Sequence, residues 1–253
     1  MQFFSDDDES ASLIVTDETR LCAKLQWTTN HIVTPDNGPC ASHFEHWNVK
    51  LVAAHRLGTV YFAVYDEMHG SRRFVVFRGY ACGTPLPLPI PIVTSINGCR
   101  HILNWRQWRD WKRASRCIEM SLRCPAREIV ITGYSIGTAY AVLSAVHHPH
   151  VVKRLHLFSP FPFSDARLVD RVTAEYVQLW LHGDPLVHCY SPLFRIGRRH
   201  RRRRQSYAHF CSPLKYHSSE TIALSLNDDF WHEMATLRQA ISHRFDDSPH
   251  EQS

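Results

Sequence analysis

The chain has 253 residues, 44% of them apolar, with seven tryptophans; that is enough for a substantial core and excludes a globally disordered chain. Its net charge of +5 is a local matter: seven of its 29 basic residues lie in the decamer RIGRRHRRRR (195–204), and the 22 that remain face 24 acidic ones. Charge therefore gives no reason to read the body of the fold as a nucleic-acid-binding surface, and eight dispersed cysteines without a CxxC pair exclude zinc-finger spacing and make reduced thiols the default.

In chain order, the start MQFFSDDDESAS is acidic where a signal peptide would be basic, and residues 1–18 read as a mobile polar end. The portion up to about residue 70 resists assignment apart from TVYFAVY (59–65), a strand pattern, and RFVVFRG (73–79) is another. ACGTPLPLPIPIVTSING (81–98) alternates proline with leucine or isoleucine, which rules out a helix and predicts an extended apolar loop. A helix is expected over about 100–121, with Trp105, Trp108 and Trp111 as an aromatic stripe of the kind that packs into a core.

EIVIT (128–132) is a strand pattern, IGTAYAVLSAVHH (136–148) a helix, and RLHLFS (154–159) and EYVQLWLH (175–182) two more strands. The arginine tract and its tail (195–212) are too charged for a core and read as a surface insertion. TIALSL (221–226) reads as a last edge strand, DFWHEMATLRQAISH (229–243) as a helix, and 245–253 as a mobile end. Strands alternating with helices predict one α/β domain over 19–244 with a mostly parallel central sheet. No run approaches the roughly 18 apolar residues of a membrane span.

The chemistry centres on Gly133-Tyr134-Ser135-Ile136-Gly137, set between the apolar strand and the helical pattern. Strand, G-x-S-x-G, helix is the order of a nucleophile elbow, whose sharp turn needs Gly133 and Gly137 because a Cβ at either would clash. The helix N-terminus beneath the serine offers a favourable field and the free N–H of Ile136 to an oxyanion. The bland alternative is a glycine-bounded turn whose serine caps the helix. A nucleophilic serine needs an acid and a histidine, which follow it in that order in such folds. Asp184 stands at the exit of EYVQLWLH, ahead of Asp165 and Asp170, which sit in a loop and an amphipathic stretch. Among the later histidines His188 is too near the acid and His200 lies within the arginines. His232, following the expected edge strand at the start of a helix, is preferred, with His217 as second choice.

Together these segments resemble the class 3 lipase family, the α/β-hydrolases that include the fungal triacylglycerol lipases. FVVFRGY (74–80) is similar to that family's strand ending in F-R-G-[ST], RHILNW (100–105) to its histidine-led segment after the lid, and IVITGYSIGTAYAVLSA to its V-T-G-H-S-L-G-G-A elbow. RLHLFSP and WLHGDPLV match the strand after the elbow and the strand carrying the acid, and His232-Glu233-Met234 fits a terminal H-[DEN]-[ML]. The likeness covers roughly residues 55–240. Tyr134 replaces a histidine, Thr138 a glycine, and Tyr80 the small hydroxyl residue that helps form the oxyanion hole, leaving the Tyr80 backbone N–H for that task.

The resemblance implies an α/β-hydrolase fold with a proline-rich, lid-like loop and an arginine-rich insertion. It implies a serine hydrolase acting on carboxylic esters of acyl lipids through Ser135, Asp184 and His232, with Tyr80 and Ile136 holding the oxyanion and no metal or organic cofactor. The same triad would serve a peptidase or thioesterase. The alternative from another class is a catalytically weak or inactive fold kept as a binding or scaffold module. Arg198–Arg204 would then meet an anionic membrane or nucleic acid; a nuclear-import signal and a plain solvated insertion are the other readings of the tract. The acidic start and the lack of a long apolar segment lead us to expect an intracellular protein, cytoplasmic or held at a membrane surface.

Overall fold

The runs rich in β-branched and aromatic residues form one sheet because their side chains are buried on both faces. In a computed structural model, residues 2–4, 15–33, 41–79, 94–96, 99–101, 105–124, 127–160, 171–181, 204–208, 219–227 and 229–246 are described. Among the described residues the strands are β1 (Gln2–Phe4), β2 (Val49–Leu57), β3 (Val60–Glu67), β4 (Arg72–Phe77), β5 (Thr94–Ile96), β6 (Cys99–His101), β7 (Glu128–Tyr134), β8 (Val152–Phe158), β9 (Glu175–Leu181) and β10 (Arg204–Ala208). The helices among them are α1 (Asp17–His31), α2 (Trp105–Leu122), α3 (Ile136–His147), α4 (Ser219–Leu226) and α5 (Phe230–Asp246); a short 3-10 helix covers Ala41–Trp47.

Among the described residues the main sheet has eight strands in the order β1-β10-β9-β8-β7-β4-β3-β2. β4, β7, β8, β9 and β10 are mutually parallel, while β2–β3, β3–β4 and β1–β10 pair antiparallel. Parallel neighbours need a crossover, and the helices α2 and α3 lie in the connections from β4 to β7 and from β7 to β8. The fold class expected from the sequence is the one observed.

Alternation along each strand divides the core into two layers. Val75 and Phe77 of β4, with Ile129 and Ile131 of β7, join Trp108, Trp111, Ile118, Tyr140 and Leu143 of α2 and α3. Phe74, Val76, Val130 and Tyr134 face the other way, against Leu25 and Trp27 of α1 and Ile222, Leu226, Phe230 and Met234 of α4 and α5. Trp108 and Trp111 stack with ring centroids 5.2 Å apart, so this part of the aromatic stripe is core. At the N-terminal end of the sheet Glu18 pairs with Arg72 at 3.0 Å, Arg154 at 2.9 Å and His156 at 2.9 Å. Asp66 binds Arg73 there at 2.7 Å.

Four expectations need correction. TIALSL is not an edge strand but most of α4, because Ile222, Ala223 and Leu226 share one buried helical face and Asn227 Nδ2 closes its end on the Ala223 carbonyl at 3.0 Å. The helix expected from about residue 100 begins at Trp105; Cys99–His101 instead pairs with Thr94–Ile96 as a small hairpin, and the dipeptide between those strands is Asn-Gly, a strong hairpin signal. Within the stretch read as a mobile start, Gln2–Phe4 forms a strand and Thr16 caps α1 through a 3.1 Å bond from the Thr19 N–H. Part of the stretch read as a charged surface insertion is β10, parallel to β9, where charged side chains near a sheet edge are tolerated.

Candidate active site

The turn from β7 into α3 has the geometry its glycines require. A Cβ on Gly133 would lie 2.6 Å from the Gly137 carbonyl oxygen, and one on Gly137 would lie 2.3 Å from the Phe77 carbonyl oxygen. The strand, the helix and the neighbouring β4 thus approach more closely than any side chain permits. Between the glycines Ser135 has φ +52 and ψ −125, a sparsely populated positive-φ conformation of a kind that costs a non-glycine residue about 1–3 kcal/mol. Its N–H donates to the Phe158 carbonyl at 3.1 Å, and its own carbonyl accepts the Thr138 N–H at 3.0 Å and the Thr138 hydroxyl at 2.6 Å.

Those bonds hold the strained backbone from both sides. Ser135 is also the N-cap residue of α3, yet its side chain makes no capping bond, and the residue is 8% exposed. An ordinary capping serine has extended backbone angles and accepts from the helix. The bland reading of the motif therefore fails. Ile136 is the first residue of α3, where a backbone N–H has no intrahelical acceptor, and its side chain is buried.

Beside the elbow, β4 ends at Phe77, and the chain continues through Arg78, whose N–H donates to the Tyr61 carbonyl at 2.9 Å. Gly79 then donates to Asn30 Oδ1 of α1 at 3.1 Å. A Cβ on Gly79 would sit 2.5 Å from Tyr134 Cδ1, so the Tyr134 ring packs against the chain just beyond β4. Tyr80 itself lies outside the described residues, as do Asp184, His217, Asp165 and Asp170. β9 is parallel to β8 in the register Phe158↔Leu179, and it ends at Leu181, three residues before Asp184.

The structure brings Gly133, Ser135, Ile136 and Gly137 together. His232 is exposed, on the side of α5 opposite the buried Phe230, Met234 and Leu237. Its backbone N–H donates to the Asp229 carbonyl at 3.3 Å and its carbonyl accepts the Thr236 hydroxyl at 3.1 Å; no hydrogen bond joins its imidazole to Ser135 among the described residues. The edge strand that favoured it is helix α4. Two groups went unread in the sequence. Asn30 and Gln26 sit in the polar half of α1, and Ser159, one residue past the Phe158 that binds Ser135, has φ +41 and a buried hydroxyl with no partner among the described residues. Only the polar run QWTTN within an otherwise apolar helix face could have marked the first pair. Among the described residues no group of three His, Cys, Asp or Glu side chains could hold a metal ion, and no helix is long and apolar enough to cross a membrane.

No protein-family model and no curated protein sequence matches the chain. Solved structures do: lipase II from Rhizopus niveus is similar with a TM-score of 0.54 at 13% identity, over 68% of this chain and 73% of the lipase. The nonglycosylated LIP2 lipase of Yarrowia lipolytica is similar with a TM-score of 0.46 at 15% identity, over 67% of this chain and 71% of that one. The likeness is one of fold: a mixed sheet flanked by helices, of the α/β-hydrolase kind.

Proposed function

We propose that the protein is a serine hydrolase that cleaves carboxylic esters of acyl lipids. The observation that carries this is the backbone of Ser135: a strained, buried serine at a strand-to-helix turn that does not cap its helix. Strain of this kind persists where the surroundings over-determine it, and it clusters at active sites. Ser135 Oγ attacks the ester carbonyl carbon while an imidazole takes its proton. The N–H groups of Ile136 and Tyr80 hold the tetrahedral oxyanion, the imidazolium returns the proton to the leaving alcohol, and water releases the acid from the acyl-enzyme. Asp184, at the exit of β9, is proposed to orient the imidazole.

For the base we propose His217 ahead of His232. His217 stands two residues before Ser219, whose hydroxyl meets His31 Nε2 at 3.1 Å. His31 adjoins Asn30, which holds Gly79 beside the elbow. This tie links Ser219 to the end of α1 that carries Asn30, whereas His232 is exposed.

A fluorophosphonate probe and p-nitrophenyl butyrate test the reading. Labelling confined to Ser135, with turnover lost in Ser135→Ala and His217→Ala and kept in His232→Ala, supports it; an unlabelled, folded protein sinks it. Attraction of Arg198–Arg204 to anionic lipid remains a proposal. Deleting 198–204 should weaken cosedimentation with phosphatidylserine vesicles while soluble-ester turnover persists; loss of binding with no turnover in any form would favour a scaffold.

A further inference from the structure

The polar half of α1 reaches under both strands of the candidate site. Gln26 and Asn30 lie one helical turn apart on its buried face. Gln26 Nε2 donates to the Phe77 carbonyl at 3.0 Å and to Asn30 Oδ1 at 3.4 Å, and Gln26 Oε1 accepts the Thr132 hydroxyl at 3.4 Å. Asn30 Oδ1 also accepts the Gly79 N–H at 3.1 Å. Two donors converge on that oxygen, so the orientation of the amide is fixed, and among the described residues Asn30 Nδ2 is left buried without a partner. Asn30 is 8% exposed. A buried donor without an acceptor costs free energy, and leucine would fill the same space without that cost.

What the asparagine holds explains its presence. The ladder between β4 and β7 ends at the pair Phe77↔Gly133. Past it, Gly79 has no side chain to anchor it, and Tyr134 leaves no room for one. We propose that Asn30 is a positioning residue: its side-chain oxygen pins the Gly79 N–H and so anchors the chain one peptide ahead of the proposed oxyanion donor, the N–H of Tyr80. This rests on reading Ser135 as the nucleophile and Tyr80 as an oxyanion donor. A donor that must be in place before charge develops acts on the transition state more than on substrate binding.

The experiment compares Asn30→Leu, which fills the space without an acceptor, Asn30→Asp, which keeps an oxygen towards Gly79, and Asn30→Ala. Each is assayed on p-nitrophenyl butyrate well below its melting temperature, alongside amide hydrogen exchange over residues 77–80. Leu and Ala should lower kcat by about 30–100-fold with KM within about twofold of the parent, since loss of a whole donor costs about 10²–10³. The Gly79 amide should lose protection in both, and Asp should restore protection and most of kcat. Unchanged kcat in Leu and Ala with only a lower melting temperature, an equal loss in Asp, or full protection of Gly79 in Leu would overturn the proposal. If the parent neither turns over ester nor labels at Ser135 while Gly79 protection follows residue 30 as stated, the hydrolase reading fails and the anchor stands.

Discussion

The hydroxyl of Thr138 and its own N–H both donate to the carbonyl of Ser135, at 2.6 Å and 3.0 Å. The threonine occupies a position where the family the sequence resembles has glycine, and it ties the first turn of α3 back onto the strained residue. Thr138→Val removes the hydroxyl bond at near-constant volume and should cost about 1 kcal/mol. Thr138→Ser should keep most of that stability. Urea unfolding of the two variants, with ester turnover alongside, checks this; a Val variant as stable as the parent would mean the bond contributes nothing.

Ser135→Ala and Ser135→Gly should separate chemistry from strain. Both should abolish fluorophosphonate labelling and lower turnover by at least about 10³-fold. Ala keeps the Cβ and the positive φ, so its melting temperature should stay within a few degrees. Gly removes the strain and should raise stability by about 1 kcal/mol. A large drop in melting temperature for Ala would show that the serine is a structural residue.

Gly137→Ala should be among the most damaging single changes in the chain. Its Cβ would meet two backbone carbonyl oxygens, of Phe77 at 2.3 Å and Arg78 at 2.7 Å, and neither can swing aside as a side chain could. A loss above about 4 kcal/mol is expected, in the range reserved for such lesions; failure to accumulate as soluble protein is the readout. A soluble Gly137→Ala variant with parental stability would contradict the close approach of α3 to β4.

The readable and the unreadable parts of this fold differ for a physical reason. EIVIT and RFVVF are buried on both faces of a parallel sheet, so their apolar, β-branched runs announce themselves. The elbow was legible because glycine is obligatory at Gly133 and Gly137. Helix α1 was not, because half of its buried face is Thr19, Gln26, Thr28, Thr29 and Asn30. Gln26, Thr29 and the side-chain oxygen of Asn30 bond to Phe77, Thr132, Tyr65 and Gly79, and Thr19 and Thr28 bond to Thr16 and Lys24, none of which periodicity reveals. TIALSL fits period two through Ile222, Leu224 and Leu226 as well as it fits a helix; buried Ala223 and half-buried Leu224 decide for the helix, and with that the argument from position for His232 lapsed.

Acid should loosen the molecule through Glu18. Burial alone would raise its pKa, but the hydrogen bond and charge of His156, with Arg72 and Arg154, outweigh it and hold the carboxyl below its ordinary value. Glu67 is lowered too, chiefly by its bond to Arg72. The unfolded chain thus binds these protons more tightly than the folded one. The stability they confer is complete above the ordinary glutamate value of about 4.3 and is lost as pH falls through the depressed folded values. Denaturant titrations from pH 7 to pH 3 should show that slope. Glu18→Gln should cost about 1.5–3 kcal/mol at pH 7 and flatten the slope; an unchanged acid limb in the variant would remove Glu18 as its source.

The docking of α1 also sets a timetable. Arg20 Nη1 donates to the Leu226 carbonyl at 3.1 Å, and Lys24 Nζ bonds Glu233 at 2.9 Å, across 206 and 209 residues of chain. On a ribosome adding about 5–20 residues per second, the helix waits roughly 10–40 s for those partners to be made. Throughout that interval Leu25 and Trp27 have no final packing. A newly made chain of this kind is a natural client for a chaperone that binds near its beginning, and slowing synthesis would lengthen its exposure to aggregation.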